Sequence, residues 1–267
     1  VGTFDLSGKK ALVTGGARGL GEGFALALAK AGADVVISDI QDDLGKQAAD
    51  RLAETGRRVG FVHHDVTAEG DWRAAVAATV DLLGGLDILV NNAGIEVTGL
   101  LSSFDPDGWR RMFDVNVIGT GLGLKYAFAA MAPGGTAGRG GVVINVASVA
   151  ATIAFPGIAG YSASKSAVDR ITRVAAQESG KLGYGVRVNC LYPGLVATDM
   201  GNQLAGDLVS LGLVSDLGEA IGAVVEQTPS GRLGEVSDMA SAVVFLASDD
   251  AQFINGAGIP VDGGMGM

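Results

Sequence analysis

Seven short runs rich in β-branched and apolar residues punctuate the chain: Lys10–Thr14, Asp34–Ser38, Val59–His64, Ile88–Asn91, Val142–Val146, Val186–Cys190 and Ile259–Val261. Several are apolar throughout rather than alternating, as strands are when helices cover both faces of their sheet. Stretches with helical spacing lie between them. Leu20–Ala31 is rich in Ala and Leu, while Asp43–Thr55 and Glu69–Leu83 open on acidic residues, which suit the positive end of a helix. Asp105-Pro106-Asp107 reads as an N-cap followed by Pro in the first turn, starting a helix that runs toward Met131. Tyr161–Lys181 puts Val168, Ile171, Val174 and Ala175 on one stripe, and Glu235–Leu246 closes the series. This alternation predicts βαβ units and an α/β fold: a doubly wound parallel sheet of about seven strands with helices on both faces.

Two regions break the rhythm. Residues 133–141 are mostly Gly with Pro133, Thr136 and Arg139, a surface loop by composition. From Leu195 to Pro229 the chain is apolar but poorly periodic, and a long segment of this kind is a candidate substrate lid at about 195–230. No interdomain linker or internal repeat is evident. One domain over residues 1–267 is therefore expected, since α/β folds of about 250 residues commonly form a single unit.

Composition narrows the function classes. Hydrophobic residues make up 48% of the chain and charged residues 18%, which suits a large buried core. A net charge of -10 disfavours nucleic acid and anionic membrane surfaces, both of which call for clustered Lys and Arg. Cys190 is the single cysteine, so no internal disulfide can form. It sits in a strand-like run and reads as a packed core thiol. Its chemistry is compatible with a reducing compartment, and a cytoplasmic location is expected. His63 and His64 are adjacent with no metal-ligand spacing around them, so no catalytic metal is expected. No charge falls between Arg139 and Lys165, a stretch long enough to span a bilayer. Asn145, Ser148, Pro156-Gly157, Ser162 and Ser164 interrupt it, so a buried strand, a loop and a helix start account for it better. Val1 to Leu6 runs into Lys9 and Lys10 without a secretory apolar core, and a soluble protein is expected.

The first strand ends in Thr14-Gly15-Gly16-Ala17-Arg18-Gly19-Leu20-Gly21, and a helix follows at once. Phosphates need backbone N–H donors at a helix N-terminus, and glycine allows the close approach. In a chain with 43 glycines the cluster alone means little; its place between the first strand and first helix gives it weight. Asp39 follows the second strand, where a carboxylate can accept hydrogen bonds from adenosine ribose hydroxyls and repel a 2′-phosphate. NAD is therefore expected, with NADP the lesser alternative because Arg18 could reach a 2′-phosphate.

Tyr161 and Lys165 lie four apart on a predicted helix and so share a face. A free phenol, with pKa near 10, is a poor base at neutrality. A neighbouring ammonium and the positive charge of an oxidised nicotinamide would lower it, letting Tyr161 take a proton from an alcohol as hydride leaves, or return it. Ser148 follows the fifth strand, at the C-terminal end where open α/β sheets gather their sites, and can hydrogen-bond a substrate oxygen.

With Asn91-Asn92-Ala93-Gly94, Asn116, Ser148, Tyr161-Ser162-Ala163-Ser164-Lys165, Pro193-Gly194 and Thr198 in order, the chain resembles the classical short-chain dehydrogenase/reductases over almost its whole length. The resemblance implies a Rossmann-like fold and a catalytic set of Asn116, Ser148, Tyr161 and Lys165. It gives Asn116 the role of bending its helix and holding a water near the lysine. It also implies cofactor contacts from Gly15, Arg18, Gly19, Leu20, Gly21, Asp39, Asp65, Val66, Asn92, Ala93, Gly94, Tyr161, Lys165, Pro193, Gly194, Val196 and Thr198. Relatives commonly form tetramers through the helices around Trp109–Met131 and Tyr161–Lys181, so a homotetramer is expected.

The expected substrate pocket is formed by Ile95, Glu96, Val149, Ala150, Phe155, Ile158, Leu195, Met200 and Leu204, which are mostly apolar. No Lys or Arg lies in Leu195–Ser230 to hold a phosphate or acid. The function expected is NAD-dependent interconversion of a bulky, uncharged, hydrophobic secondary alcohol (terpenoid, steroid-like or aryl) with its ketone. Two alternatives stand beside it. One is an NADPH-dependent 3-oxoacyl-carrier reductase of the same family, opposed by Asp39 and the overall acidity. The other is a nonenzymatic nucleotide-sensing protein on the same fold, opposed by the intact Ser, Tyr and Lys.

Overall fold

The computed structural model describes residues 4–266. Seven parallel strands form one sheet: β1 (Lys10–Thr14), β2 (Asp34–Asp39), β3 (Val59–His63), β4 (Ile88–Asn91), β5 (Gly141–Val146), β6 (Val186–Pro193) and β7 (Gly258–Val261). Their spatial order is β3-β2-β1-β4-β5-β6-β7. Side chains alternate across the sheet and both faces are covered. Ala11 and Val13 of β1 join Val35, Ile37, Val90 and Ile144 in one core, under α1 (Gly19–Lys30) and α9 (Val236–Ala247). Leu12 between them turns the other way, to Val36, Leu89 and Val143, beneath α3 (Glu69–Leu83), α5 (Gly119–Met131) and α6 (Ala159–Leu182). Fully buried Phe24 and Trp72 anchor the two layers; each such side chain contributes roughly 1.5–3 kcal/mol by leaving water.

β1 and β4 have the expected limits, and the other strands differ from theirs by one to three residues. The helix predicted from Asp105 toward Met131 forms as α4 (Pro106–Phe113) and α5, joined by a π turn over Asp114–Ile118. The Asp105 carboxylate caps α4 by accepting from the backbone N–H groups of Asp107 and Gly108. α2 (Asp42–Ala53) follows β2.

The poorly periodic segment holds two helices that its pattern did not predict, α7 (Asp199–Ser210) and α8 (Leu217–Gln227). Gly201, Gly206, Gly218 and Gly222 dilute their apolar stripes. Their starts are marked all the same, because Thr198 and Asp216 each accept a hydrogen bond from a backbone N–H in the first turn.

The strand order reverses at β1 and β4, so a crevice opens between the loops that leave them. Thr14 Oγ1 accepts from the backbone N–H groups of Asn92 and Ala93 at 3.1 Å each, and Asn92 Nδ2 donates to the Thr14 and Gly15 carbonyls. These bonds fix the glycine loop against the β4 turn.

Candidate active site

One cavity of about 1020 Å³ runs over the C-terminal ends of the strands. At one end the glycine loop enters α1. No side chain caps this helix, so its first backbone N–H groups open to the cavity. Gly15 has φ +62°, and a Cβ there would meet Ala93 Cα at 2.9 Å; at Gly21 it would overlap the Gly15 carbonyl oxygen. An uncapped helix start reached by a chain with no room for side chains is the cradle that a dinucleotide pyrophosphate fits. Asp39 closes this end: Oδ2 accepts from the Ala17 N–H and Oδ1 from the Gln41 N–H, each at 3.1 Å. Asp65 and Val66 border the cavity beyond it. Val66 is held by its carbonyl, which accepts from the Trp72 indole at 2.9 Å.

The other end is built on α6. A relay of buried polar groups positions this helix: Asn91 Nδ2 donates to Asn145 Oδ1, and Asn145 Nδ2 donates to Thr172 Oγ1, both at 2.8 Å. Asn91 belongs to this framework and does not border the cavity. One turn apart on α6, Tyr161 and Lys165 both line the cavity, and Ser148 faces them from the end of β5. Burial pushes the Tyr161 phenol up to about 12; the Ser148 hydroxyl opposes this and Glu96 adds to it. Lys165 is 4% exposed, and burial lowers its ammonium to about 8. Its Nζ donates to the Val146 carbonyl at 2.8 Å and stands 5.5 Å from the centroid of the Tyr161 ring. The neighbouring ammonium does not by itself offset this burial; the expectation joined it with the positive charge of an oxidised nicotinamide. Withdrawal from water costs the phenolate more than the protein's own groups return.

Asn116 sits in the π turn, 1% exposed and set back from the cavity lining. Its Oδ1 accepts from the Ile95 N–H, and its Nδ2 is shared between the Ile95 carbonyl and Ser164 Oγ. The wide turn lets a side chain inside a helix reach the backbone beside it. A Cβ on Gly94 would lie 3.2 Å from Asn116 Oδ1 and 3.3 Å from Lys165 Nζ, so this glycine keeps the two groups in one small space.

Every other residue expected to touch cofactor or substrate borders the same cavity: Arg18, Gly19, Leu20, Asn92, Ala93, Pro193, Gly194, Val196 and Thr198, with Ile95, Glu96, Val149, Ala150, Phe155, Ile158, Leu195, Met200 and Leu204. Sequence reasoning missed several neighbours. Exposed Ile40 follows Asp39, and buried His64 precedes Asp65. Arg111 of α4 brings a second exposed guanidinium to the rim. Asp199 pairs with Arg18 at 2.8 Å across the cavity mouth. Positions beside named motif residues could have flagged Ile40, His64 and Asp199; nothing in the pattern marks Arg111.

Cys190 is buried against Ala147, Val168 and Tyr192, and burial pushes its thiol up to about 12, in keeping with a core role. Among the described residues no helix is long and apolar enough to cross a membrane.

Comparison with known proteins agrees with this geometry. A family model described as enoyl-(acyl carrier protein) reductase matches residues 15–266. A trans-4-hydroxycyclohexanecarboxylate dehydrogenase of Sinomonas cyclohexanicum is 38% identical over 96% of this chain and 92% of its own length. A 3-alpha-(or 20-beta)-hydroxysteroid dehydrogenase of Mycobacterium tuberculosis is 39% identical over 97% and 90%. Among solved structures, NAD+-bound xylitol dehydrogenase superposes with TM-score 0.91 at 28% identity, covering 97% of this chain and 99% of that one. A gluconate 5-dehydrogenase from Burkholderia cenocepacia, solved with NADP and tartrate, has TM-score 0.85 and 34% identity over 98% and 96%. The chain belongs to the short-chain dehydrogenase/reductase family and is an oxidoreductase of that family, which uses a nicotinamide cofactor.

Proposed function

We propose that this enzyme interconverts a bulky, uncharged, largely apolar secondary alcohol and its ketone with NAD as cofactor. The observation that carries the reading is the single cavity joining Asp39 at one end to Ser148, Tyr161 and Lys165 at the other. In it the uncapped start of α1 holds the pyrophosphate and Asp39 takes the adenosine ribose hydroxyls. Thr198 and the Pro193-Gly194 turn border the nicotinamide. When bound, the nicotinamide accepts or supplies the hydride.

The protein's own residues handle the proton. Ser148 hydrogen-bonds the substrate oxygen and aims it at Tyr161. In reduction the Tyr161 hydroxyl, protonated by virtue of its burial, donates to the oxygen as negative charge develops there. In oxidation the phenol must first lose its proton, which Lys165 assists by placing a positive charge against the ring. Asn116 holds Ile95 and Ser164 and so keeps the floor beneath Lys165 in place. Residues 195–230, with α7 and α8, act as the lid of a single-domain enzyme, and their lack of Lys and Arg supports an uncharged substrate. The carboxylate in the name of the Sinomonas relative's substrate runs against that choice. Arg111 at the rim is the residue that an acid substrate would use.

Asp39 favours NAD, and Arg18, turned to Asp199, is engaged away from a 2′-phosphate. Exposed Ile118 and Val174 support assembly through the α5 and α6 region, in keeping with a homotetramer. The test is a panel of steroid, terpenoid and aryl alcohols beside acid and carrier-linked substrates, followed by cofactor absorbance with NAD and NADP in parallel. The reading expects turnover of the uncharged group with NAD. Turnover confined to charged or carrier-linked substrates, or a clear preference for NADP, contradicts it.

A further inference from the structure

The substrate end of the cavity contains a polar group that alcohol–ketone chemistry does not use. Glu96, two residues beyond Gly94, lines the cavity with Tyr161 and Ser148. Its Oε2 accepts a hydrogen bond from Thr98 Oγ1 at 2.8 Å, and the same hydroxyl lies 3.1 Å from Asp207 Oδ2 on α7. A threonine hydroxyl has one hydrogen, so it cannot serve both carboxylates at once. Glu96 Oε1 is buried and has no hydrogen-bond partner. A buried polar atom without a partner is costly, and because Glu96 lines the cavity, a small turn of its side chain would bring this oxygen to a ligand there.

The surroundings define the missing partner. Val149, Ala150, Phe155, Ile158, Leu195 and Leu204 make the nearby walls apolar. Burial pushes the Glu96 carboxyl up to about 7, with the Asp207 charge acting in the same direction and Thr98 against it. Around neutrality the group can therefore both give and take a hydrogen bond. A carboxylate ligand would meet two acidic side chains. An ammonium ligand would have to leave water for an apolar pocket and a half-neutralised partner. A hydroxyl matches in either protonation state, because it also gives and takes. Glu96 and Tyr161 line the same cavity, so one molecule can meet both.

We propose that Glu96 is a specificity-determining residue that binds a second hydroxyl of the substrate, so that the preferred substrates are alicyclic diols or hydroxyketones rather than simple alcohols. The inference rests on the reading of Tyr161 as the proton donor and acceptor, and adds the recognition of a remote group.

The experiment compares kcat/KM for cyclohexanol with the values for cyclohexane-1,2-, 1,3- and 1,4-diol and for trans-4-aminocyclohexanol. Wild-type enzyme, Glu96→Gln and Glu96→Leu are assayed with NAD. At least one diol is expected to exceed cyclohexanol by about tenfold in the wild type, the worth of one well-made hydrogen bond. Glu96→Gln, whose amide also gives and takes, is expected to keep most of that ratio. Glu96→Leu is expected to bring it to within about twofold of unity. Equal turnover of cyclohexanol and all the diols by the wild type overturns the proposal, as does a diol preference that survives in Glu96→Leu. A preference for the amine over every diol overturns it in favour of a cation site. Failure of the wild type to oxidise any of these alcohols also overturns the proposal, while the underlying reading falls only if the steroid, terpenoid and aryl alcohols are refused as well.

Discussion

The Lys165 ammonium stands 5.5 Å from the centroid of the Tyr161 ring, yet its hydrogen bond goes to the Val146 carbonyl. The lysine is thereby fixed to the sheet, and it acts on the phenol through space.

The pH dependence of catalysis follows from this arrangement. Alcohol oxidation needs the phenolate, and burial holds the phenol up, so the oxidation rate is expected to rise with pH. Lys165→Met removes the cation that stands 5.5 Å from the ring centroid. Its oxidation profile should move to higher pH by about one unit or more, with kcat at neutrality falling about 100-fold. Rate profiles across the alkaline range check this; a profile that does not move would mean the lysine charge is not felt by the proton-transfer group.

Cofactor choice is expected to turn on Asp39. Its carboxylate is held by two backbone N–H groups and cannot swing away from a 2′-phosphate. Asp39→Asn should raise the ratio of kcat/KM for NADP over NAD by about 10- to 100-fold, the range expected when a close like-charge contact is removed. Adding Asp199→Asn, which releases Arg18 from its ion pair, should raise it further. A ratio unchanged in the double variant would place the discrimination elsewhere.

A stability effect is expected at His64. This imidazole is buried edge-on against Trp72, with Nδ1 3.0 Å from Ser38 Oγ, and burial lowers it from 6.5 to about 4. Above pH 6.5 neither the folded nor the unfolded chain protonates it. Between 6.5 and 4 the unfolded chain takes up a proton that the folded one refuses, so stability falls as pH falls, by up to about 3 kcal/mol. Urea midpoints of wild type and His64→Gln at pH 7.5 and 4.5 test this. The wild type should lose more on acidification, and equal losses would remove His64 from the acid response.

Much of the site was legible because short-range chemistry fixes it. The Gly15–Gly21 loop, Asp39 at a strand end, and Tyr161 with Lys165 at helical spacing all fall where a parallel sheet directs them. Asp105 announced its helix by capping chemistry, and the structure forms that cap. The same chemistry at Thr198 and Asp216 went unread, because glycines blur the periodicity of α7 and α8. What spacing could not convey is depth. Tyr161 and Lys165 share a face as expected, but the dominance of burial over the lysine charge depends on how many atoms surround the phenol. In the sequence Glu96 is one more wall residue; only the fold ties one of its oxygens to Thr98 and leaves the other without a partner. The Arg18–Asp199 pair joins residues 181 positions apart, a relation that only the folded chain contains.

The most direct test of the account is Tyr161→Phe, which deletes one oxygen and leaves the ring. NADH affinity, followed by cofactor fluorescence, is expected to stay within about twofold of the wild type. The turnover of any accepted alcohol should drop by about 1,000-fold, within the range attributed to a general acid or base. Turnover above about a tenth of the wild-type value, with cofactor still bound, would show that the proton travels by another route.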